Sequence, residues 1–227
     1  SLALLDEGVE YPPADAELWT TSTRRPTRLF ALVTDREALY AAIPRPLDAA
    51  ALNAGVGQGG AFVDQDLDGQ LRLIDLNVRS TVHLARLLLR DMTARNRGKV
   101  LITSSIGSMM PGPYQAIYNG SKSFLQSFSE AVADELGDTA VTVTSLMPGP
   151  TETDFFRRAG MGDTRIGRMS KDDPAQVAAQ GYAALVQGRT KVVAGSPMVK
   201  AQGVLNAVVP DQVKAMAHRF IAKPLGR

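Results

Sequence analysis

The 227-residue chain has no cysteine, one tryptophan and two histidines. Without cysteine it holds no disulfide, no thiolate nucleophile, no iron–sulfur cluster and no Cys-ligated zinc. Two histidines leave little for a His-built metal site, so no metal is expected. No run reaches about 18 consecutive apolar residues, so no membrane-spanning helix is expected. The start, Ser1-Leu2-Ala3-Leu4-Leu5-Asp6, lacks the basic residues and long apolar run of a signal peptide, and a cytoplasmic location is expected. An excess of one charge is also missing. Twenty-five Lys and Arg face 23 Asp and Glu, a net charge of +2, and this balance argues against a nucleic-acid partner.

What remains is ordinary globular material, 44% apolar and 21% charged. The length suits one domain over residues 1–227 with a substantial core. Residues 1–28 are irregular: Pro12-Pro13 breaks any helix, and Trp19 to Pro26 reads as loop. From residue 28 a strand–helix rhythm begins. Leu29–Val33 suits a buried strand, and Ala38–Ile43 continues a helix capped by Thr34 or Asp35. Ala49–Leu52, Lys99–Thr103, Val141–Met147 and Lys191–Ala194 read as further strands. Asp66–Ala94 carries a long helical pattern that Gly98 closes. Tyr114–Leu136 is a second long helix, Asp173–Val186 a third and Pro210–Ala222 a last one. Residues 151–172 read as loop with a short helix, and residues 197–227 as a C-terminal helical extension. Apolar strands alternating with helices imply an α/β fold, a parallel sheet covered on both faces. In such sheets ligands bind beyond the carboxyl ends of the strands. Those ends are Asn53-Ala54-Gly55, Ser104-Ser105 and Pro148-Gly149-Pro150.

The sharpest motif is Tyr118-Asn119-Gly120-Ser121-Lys122. Residues i and i+4 share a helix face, so Tyr118 and Lys122 project together. An adjacent ammonium favours phenolate and lowers a tyrosine pKa, which suits general acid–base work. Taken alone, the motif fits equally a helix with one aromatic residue and one solvated lysine.

Ser105, at a strand end 13 residues earlier, changes that. Together with Asn53-Ala54-Gly55, Asn77, Pro148-Gly149 and Thr153, in this order, the chain resembles the short-chain dehydrogenase/reductase family over residues 28 to 195. The resemblance implies a doubly wound Rossmann-type sheet and NAD(P)-dependent interconversion of a carbonyl and a secondary alcohol. It implies Tyr118 as proton donor or acceptor, Lys122 as the group that lowers the tyrosine pKa and holds the nicotinamide ribose, and Ser105 as the hydroxyl on the reacting oxygen. Asn77 would hold a relay water. Asn53, Ala54 and Gly55 would lie by the cofactor, Pro148 and Gly149 would line the nicotinamide, and Thr153 would bind its carboxamide. NAD and NADP are not distinguished. The two long helices pair across subunits in such proteins, so a homodimer or homotetramer is expected.

One departure is plain. The family's Gly-rich turn, T-G-x-x-x-G-x-G, follows an opening strand, and no such run occurs here. The N-terminal strand–helix unit is therefore absent or incomplete. The chain does not open with Met, so the unit either precedes this sequence or has been lost with dinucleotide binding. The second case would leave a non-catalytic binding or scaffold protein. Gly55-Val56-Gly57-Gln58-Gly59-Gly60 fits G-x-G-x-x-G literally. It follows the wrong strand and opens no clear helix, so it reads as a flexible loop near the site.

Several smaller readings follow. Ser104 alternates with Ser105 and should point away from the site. Tyr114, one turn before Tyr118, should line the substrate pocket. Met109, Met110, Met161, Phe155 and Phe156 lie beyond strand ends and suggest a small apolar carbonyl or alcohol as substrate. His83 and His218 read as surface or packing residues. Lys214, His218, Arg219 and Lys223, interleaved with Val213, Met216 and Phe220, make the last helix amphipathic and basic.

Overall fold

The computed structural model describes residues 36–42 and 46–225. The strand expected at Leu29–Val33, the segment 1–28 expected to be irregular and the caps expected at Thr34 or Asp35 lie outside the described residues. Helix α1 (Arg36–Ala42) is followed by strand β1 (Ala49–Leu52), helices α2 (Leu67–Ile74) and α3 (Ser80–Ala94), strand β2 (Gly98–Thr103), helix α4 (Ala116–Glu135) and strand β3 (Val141–Pro148). Short helices α5 (Phe155–Arg158) and α6 (Arg165–Arg168) lead to α7 (Pro174–Val186), strand β4 (Lys191–Ala194), α8 (Pro197–Asn206) and α9 (Asp211–Ala222).

The four strands form one parallel sheet in the order β1-β2-β3-β4. Alternation along β2 sends its side chains to two layers. Val100 and Ile102 pack with Ala85, Leu89 and Met92 of α3 and Leu125 of α4. Leu101 packs with Leu146 and with Val177 and Leu185 of α7 on the other face. Because both faces are covered, the strands read as nearly continuous apolar runs. The expected α/β architecture is thus observed, and the strand carboxyl ends open on one side. No helix among the described residues is long and apolar enough to cross a membrane.

The expected helix Asp66–Ala94 has an interruption that its apolar spacing does not reveal. Asp66 caps it by accepting from the Gly69 amide. Residues Asp75–Arg79 then form a single π-helical turn before α3 continues. Such turns displace side chains from the regular spiral and recur at functional sites. The residue displaced inward here is Asn77.

Two helix ends differ from expectation. Asn96, in the left-handed region at φ 48°, follows the end of α3. Gly98 already lies in β2, where a Cβ would sit 2.3 Å from Met92 Cγ. Helix α4 starts at Ala116 rather than Tyr114, because Tyr114 has φ 66° and cannot belong to a right-handed helix. Helix α8 falls within the C-terminal extension but was not legible as a separate element. Pro197 starts it, and Gly203 lies where a Cβ would meet Val193 of β4 at 2.9 Å.

Candidate active site

A cavity of about 1290 Å³ opens beyond the carboxyl ends of the strands. Its walls come from the loop after β1, the π-turn region, the β2–α4 connection, the loop after β3 and helix α9. Asn53, Gly55, Ser105, Tyr118, Lys122, Pro148, Gly149 and Thr153 all line it. Residues spread over 100 positions of sequence therefore meet at one place. Ala54 is exposed and does not line the cavity.

Ser105 leaves β2 in extended conformation at φ −169°, and its hydroxyl accepts from the Gly107 amide at 3.1 Å. That contact starts the 3-10 turn Ile106–Met109 and fixes the side chain at the cavity. The Ser105 side chain also acts on the Tyr118 phenol. Ser104 points the other way, as alternation requires. It is fully buried and its hydroxyl donates to the Lys122 carbonyl at 2.8 Å, tying β2 to α4.

Tyr118 is packed against Phe155, ring centroids 5.1 Å apart. Burial raises its pKa above the usual value near 10, and the Ser105 side chain only partly opposes this. This corrects the expectation that Lys122 lowers it. The ammonium lies 5.9 Å from the phenol ring centroid and donates to the Thr103 carbonyl at 2.8 Å instead. Burial acts on Lys122 as well, lowering its pKa to about 8. In both residues desolvation disfavours the charged form and outweighs the attraction between them. At neutral pH the corner holds a neutral phenol beside a charged, poorly solvated ammonium.

Asn77 is completely buried and performs three tasks. Its carbonyl accepts from the Val56 amide at 2.9 Å, and its amide donates to the Val56 carbonyl at 2.9 Å and to the Ser121 hydroxyl at 3.1 Å. It therefore holds the loop after β1 against α4. Asn53 is held in turn by the Thr103 hydroxyl, at 2.7 Å. A Cβ on Gly55 would lie 3.0 Å from Lys122 Nζ and 3.3 Å from Asn77 Oδ1. Only a bare backbone lets this loop approach both side chains without displacing them.

The remaining glycines of Gly55–Gly60 pack rather than swing freely. A Cβ on Gly57 would collide with Phe155 at 2.5 Å, and one on Gly59 with Met161 at 2.4 Å. Their loop is pinned by the Gly59 amide on the Ala159 carbonyl and the Gly60 amide on the Tyr114 carbonyl. Gly149 likewise answers to packing, since a Cβ there would meet Val199 of α8 at 2.5 Å. Thr153 accepts weakly from the Phe155 amide at 3.3 Å and so orients α5.

Tyr114 does not line the cavity. It packs with Phe156, Ala159, Met161 and Ala222 instead, because its left-handed backbone turns it out of the α4 spiral. Met110, Phe155 and Phe156 do line the cavity, whereas Met161 is core. His83 lies at the surface, 3.9 Å from Glu37. Two polar wall residues were not picked out as site residues. Gln115 precedes α4, and His218 comes from α9, whose docking brings it to the Pro113 carbonyl across 105 positions. Nothing local in the sequence marks that long-range contact. No group of three or more His, Cys, Asp or Glu residues that could hold a metal occurs among the described residues.

The family model for short chain dehydrogenase matches residues 10–163. An uncharacterized short-chain type dehydrogenase/reductase of Sinorhizobium fredii is 35% identical over 114 residues, 50% of this chain and 46% of that protein. The dehydrogenase/reductase SDR family member 7B of Bos taurus is 30% identical over 164 residues, 70% of this chain and 50% of that protein. The chain thus spans about half the length of these relatives. Among solved structures, a short-chain dehydrogenase from Streptomyces avermitilis is 25% identical with a TM-score of 0.61, over 77% of this chain and 68% of that one. One from Sphingobium yanoikuyae, in complex with NADPH, shares the fold at 22% identity and a TM-score of 0.59, over 72% and 66% of the two chains. With a family model matching well over half of its residues, the chain belongs to the short-chain dehydrogenase family.

Proposed function

We propose that the protein is an NAD(P)-dependent oxidoreductase that interconverts a carbonyl and a secondary alcohol, with Tyr118 transferring the proton. The observation that carries this reading is that Ser105, Tyr118 and Lys122 line one cavity beyond the strand ends. A substrate oxygen between the two hydroxyls would accept from both. Ser105 then stabilises charge developing on that oxygen, and Tyr118 supplies the proton as general acid. In the reverse direction Tyr118 receives the alcohol proton. Its raised pKa keeps it a phenol at neutral pH, so reduction is favoured there and oxidation gains as pH rises.

The residues present suit a nicotinamide dinucleotide. Lys122 has one protein acceptor among the described residues, the Thr103 carbonyl, so two of its three donors remain for a polyhydroxylated group such as a ribose. Gly55 lets the neighbouring backbone come close to that ammonium. Lys122, Asn53, Gly55, Pro148, Gly149 and Thr153 would hold the nicotinamide half, with Asn77 fixing the floor. When bound, the dinucleotide supplies or accepts the hydride. The apolar residues Met110, Phe155 and Phe156 support an apolar carbonyl or alcohol as substrate. Exposed Leu67 and Leu71 on α2 and Phe124 on α4 support pairing of this face in a dimer or tetramer.

The test is a melting titration of the protein with NADH and NADPH, followed by turnover of simple ketones. Binding at a hundred times the dissociation constant stabilises a protein by about 2.7 kcal/mol, a clear rise in melting temperature. No rise at millimolar dinucleotide would point to the scaffold reading instead.

A further inference from the structure

The basic, amphipathic pattern of the last helix has no part in the reactive corner, and the fold turns its apolar row outward. Helix α9 buries His218 and Ala222 and leaves Val213, Met216 and Phe220 exposed, Met216 by 72%. These three recur at i, i+3 and i+7, so they share one face. Arg219 and Lys223, each three residues beyond Met216 and Phe220, flank that row. Helix α8 exposes Met198, Val204 and Leu205, and Val208 in the joint between the two helices is 76% exposed. The Lys214 ammonium donates to the Asn206 carbonyl at 3.2 Å, so the end of α8 meets the start of α9. The opposite faces are used inside the molecule: Val199 of α8 packs beside Gly149, and His218 and Ile221 of α9 wall the cavity.

The charge around this face has one sign. Residues 197–227 hold five Lys and Arg and a single acid, Asp211, in a chain whose net charge is only +2. Asp211 pairs with Lys214 at 2.7 Å. Lys200, Arg219 and Lys223 are exposed and have no carboxylate partner among the described residues. Arg165 of α6 adds a fourth exposed cation. Its guanidinium lies 4.1 Å from the Phe220 ring centroid and donates to the Phe220 carbonyl at 2.9 Å. Exposed apolar patches with a polar rim mark docking sites, and here the rim is cationic. A second copy of the same face would set like charges against each other. An anionic lipid surface complements both the apolar row and the rim. We infer that the outer face of α8 and α9 docks the protein on an anionic membrane surface. Val208, Val213, Met216 and Phe220 enter the boundary between headgroups and acyl chains, while Lys200, Arg219, Lys223 and Arg165 hold lipid phosphates. This is attachment to the surface, since no helix among the described residues is long and apolar enough to cross a membrane. It does not depend on the Tyr118 chemistry and is read by binding alone.

The experiment measures co-sedimentation of the protein with two kinds of vesicle, phosphatidylcholine alone and equal parts phosphatidylcholine and phosphatidylglycerol. The mixed vesicles should bind the protein at low ionic strength, and the neutral ones on the order of a hundred-fold more weakly. Added salt should weaken binding to the mixed vesicles. Arg219→Gln and, independently, Lys223→Gln should each lower that affinity on the order of five-fold. Met216→Ser should lower it on the order of ten-fold, with the melting temperature unchanged. Val63→Ser, which alters an exposed apolar residue in the turn after β1, should leave binding as it is. No binding to the mixed vesicles, or binding that Met216→Ser and Arg219→Gln leave intact, would overturn the proposal. Equal binding to both kinds of vesicle would also overturn it, because the cationic rim would then play no part. So would a native oligomer, read by sedimentation velocity, that Met216→Ser dissociates, since a second copy would then cover the face.

Discussion

Helices α4 and α9 both wall the cavity, and both break the usual rule that apolar residues face inward. On α4 the buried residues include Asn119, Ser121, Lys122 and Ser129. On α9 the buried residues include His218, while Val213, Met216 and Phe220 are exposed, Phe220 by 62%. The polar groups of α4 mostly find backbone partners: Asn119 donates to the Gly107 and Met110 carbonyls, Lys122 to Thr103, and Ser129 to Leu125. His218 on α9 finds one and keeps a nitrogen open. The difference separates two uses of buried polarity. On α4 it mostly fixes a backbone around the proposed reactive corner; on α9 it leaves a ring nitrogen without a hydrogen bond among the described residues.

The largest effect should come from the reactive corner. Ser105→Ala removes a donor to the reacting oxygen and should lower kcat on the order of 10²–10³-fold, read by steady-state kinetics at saturating dinucleotide. Next comes the framework of α4. Asn119→Ala strips two hydrogen bonds from partly buried carbonyls and should cost about 1–3 kcal/mol, read as a fall in the denaturant midpoint. Gly149→Ala should cost a similar amount, about 1–3 kcal/mol, by pressing a methyl group on Val199. The smallest effect belongs to the outer face of α9, where Met216→Ser should stay within about 0.5 kcal/mol. A loss as large as that of Asn119→Ala would mean that this face is covered, and the contrast between the helices would break.

The buried ammonium gives a pH signature on the same comparison. The folded pKa of Lys122, about 8, lies below the unfolded value of 10.5. Between those values the unfolded chain binds more protons, so this residue makes stability rise with pH from about 8 to 10.5. Tyr118 has the opposite sense: its folded pKa is raised, so its contribution falls as pH climbs above about 10. Lys122→Met should flatten the rise in melting temperature between pH 8 and 10.

The strand–helix alternation was legible because strands covered on both faces are uniformly apolar. The meeting of Ser105, Tyr118 and Lys122 at one cavity was legible because Tyr118 and Lys122 lie on one helix at i and i+4, and Ser105 follows the preceding strand. What escaped depends on backbone turns or distant docking. The left-handed Tyr114 moved the start of α4 and took that ring out of the cavity. The π-turn that places Asn77 leaves the apolar spacing of its helix nearly unchanged. The pKa of Tyr118 was misjudged because spacing reveals which charges are near, whereas burial, which dominates, depends on the whole cavity. His218 reaches Pro113 only because α9 folds back across the chain.

The account rests on the Tyr118 hydroxyl as the proton-transfer group. Its most direct test is single-turnover reduction of a ketone by Tyr118→Phe, beside the native protein, with dinucleotide binding measured on the same samples. The variant should bind the dinucleotide and keep its fold while reduction falls on the order of 10²–10⁴-fold. Reduction at the native rate with binding intact would contradict the assignment.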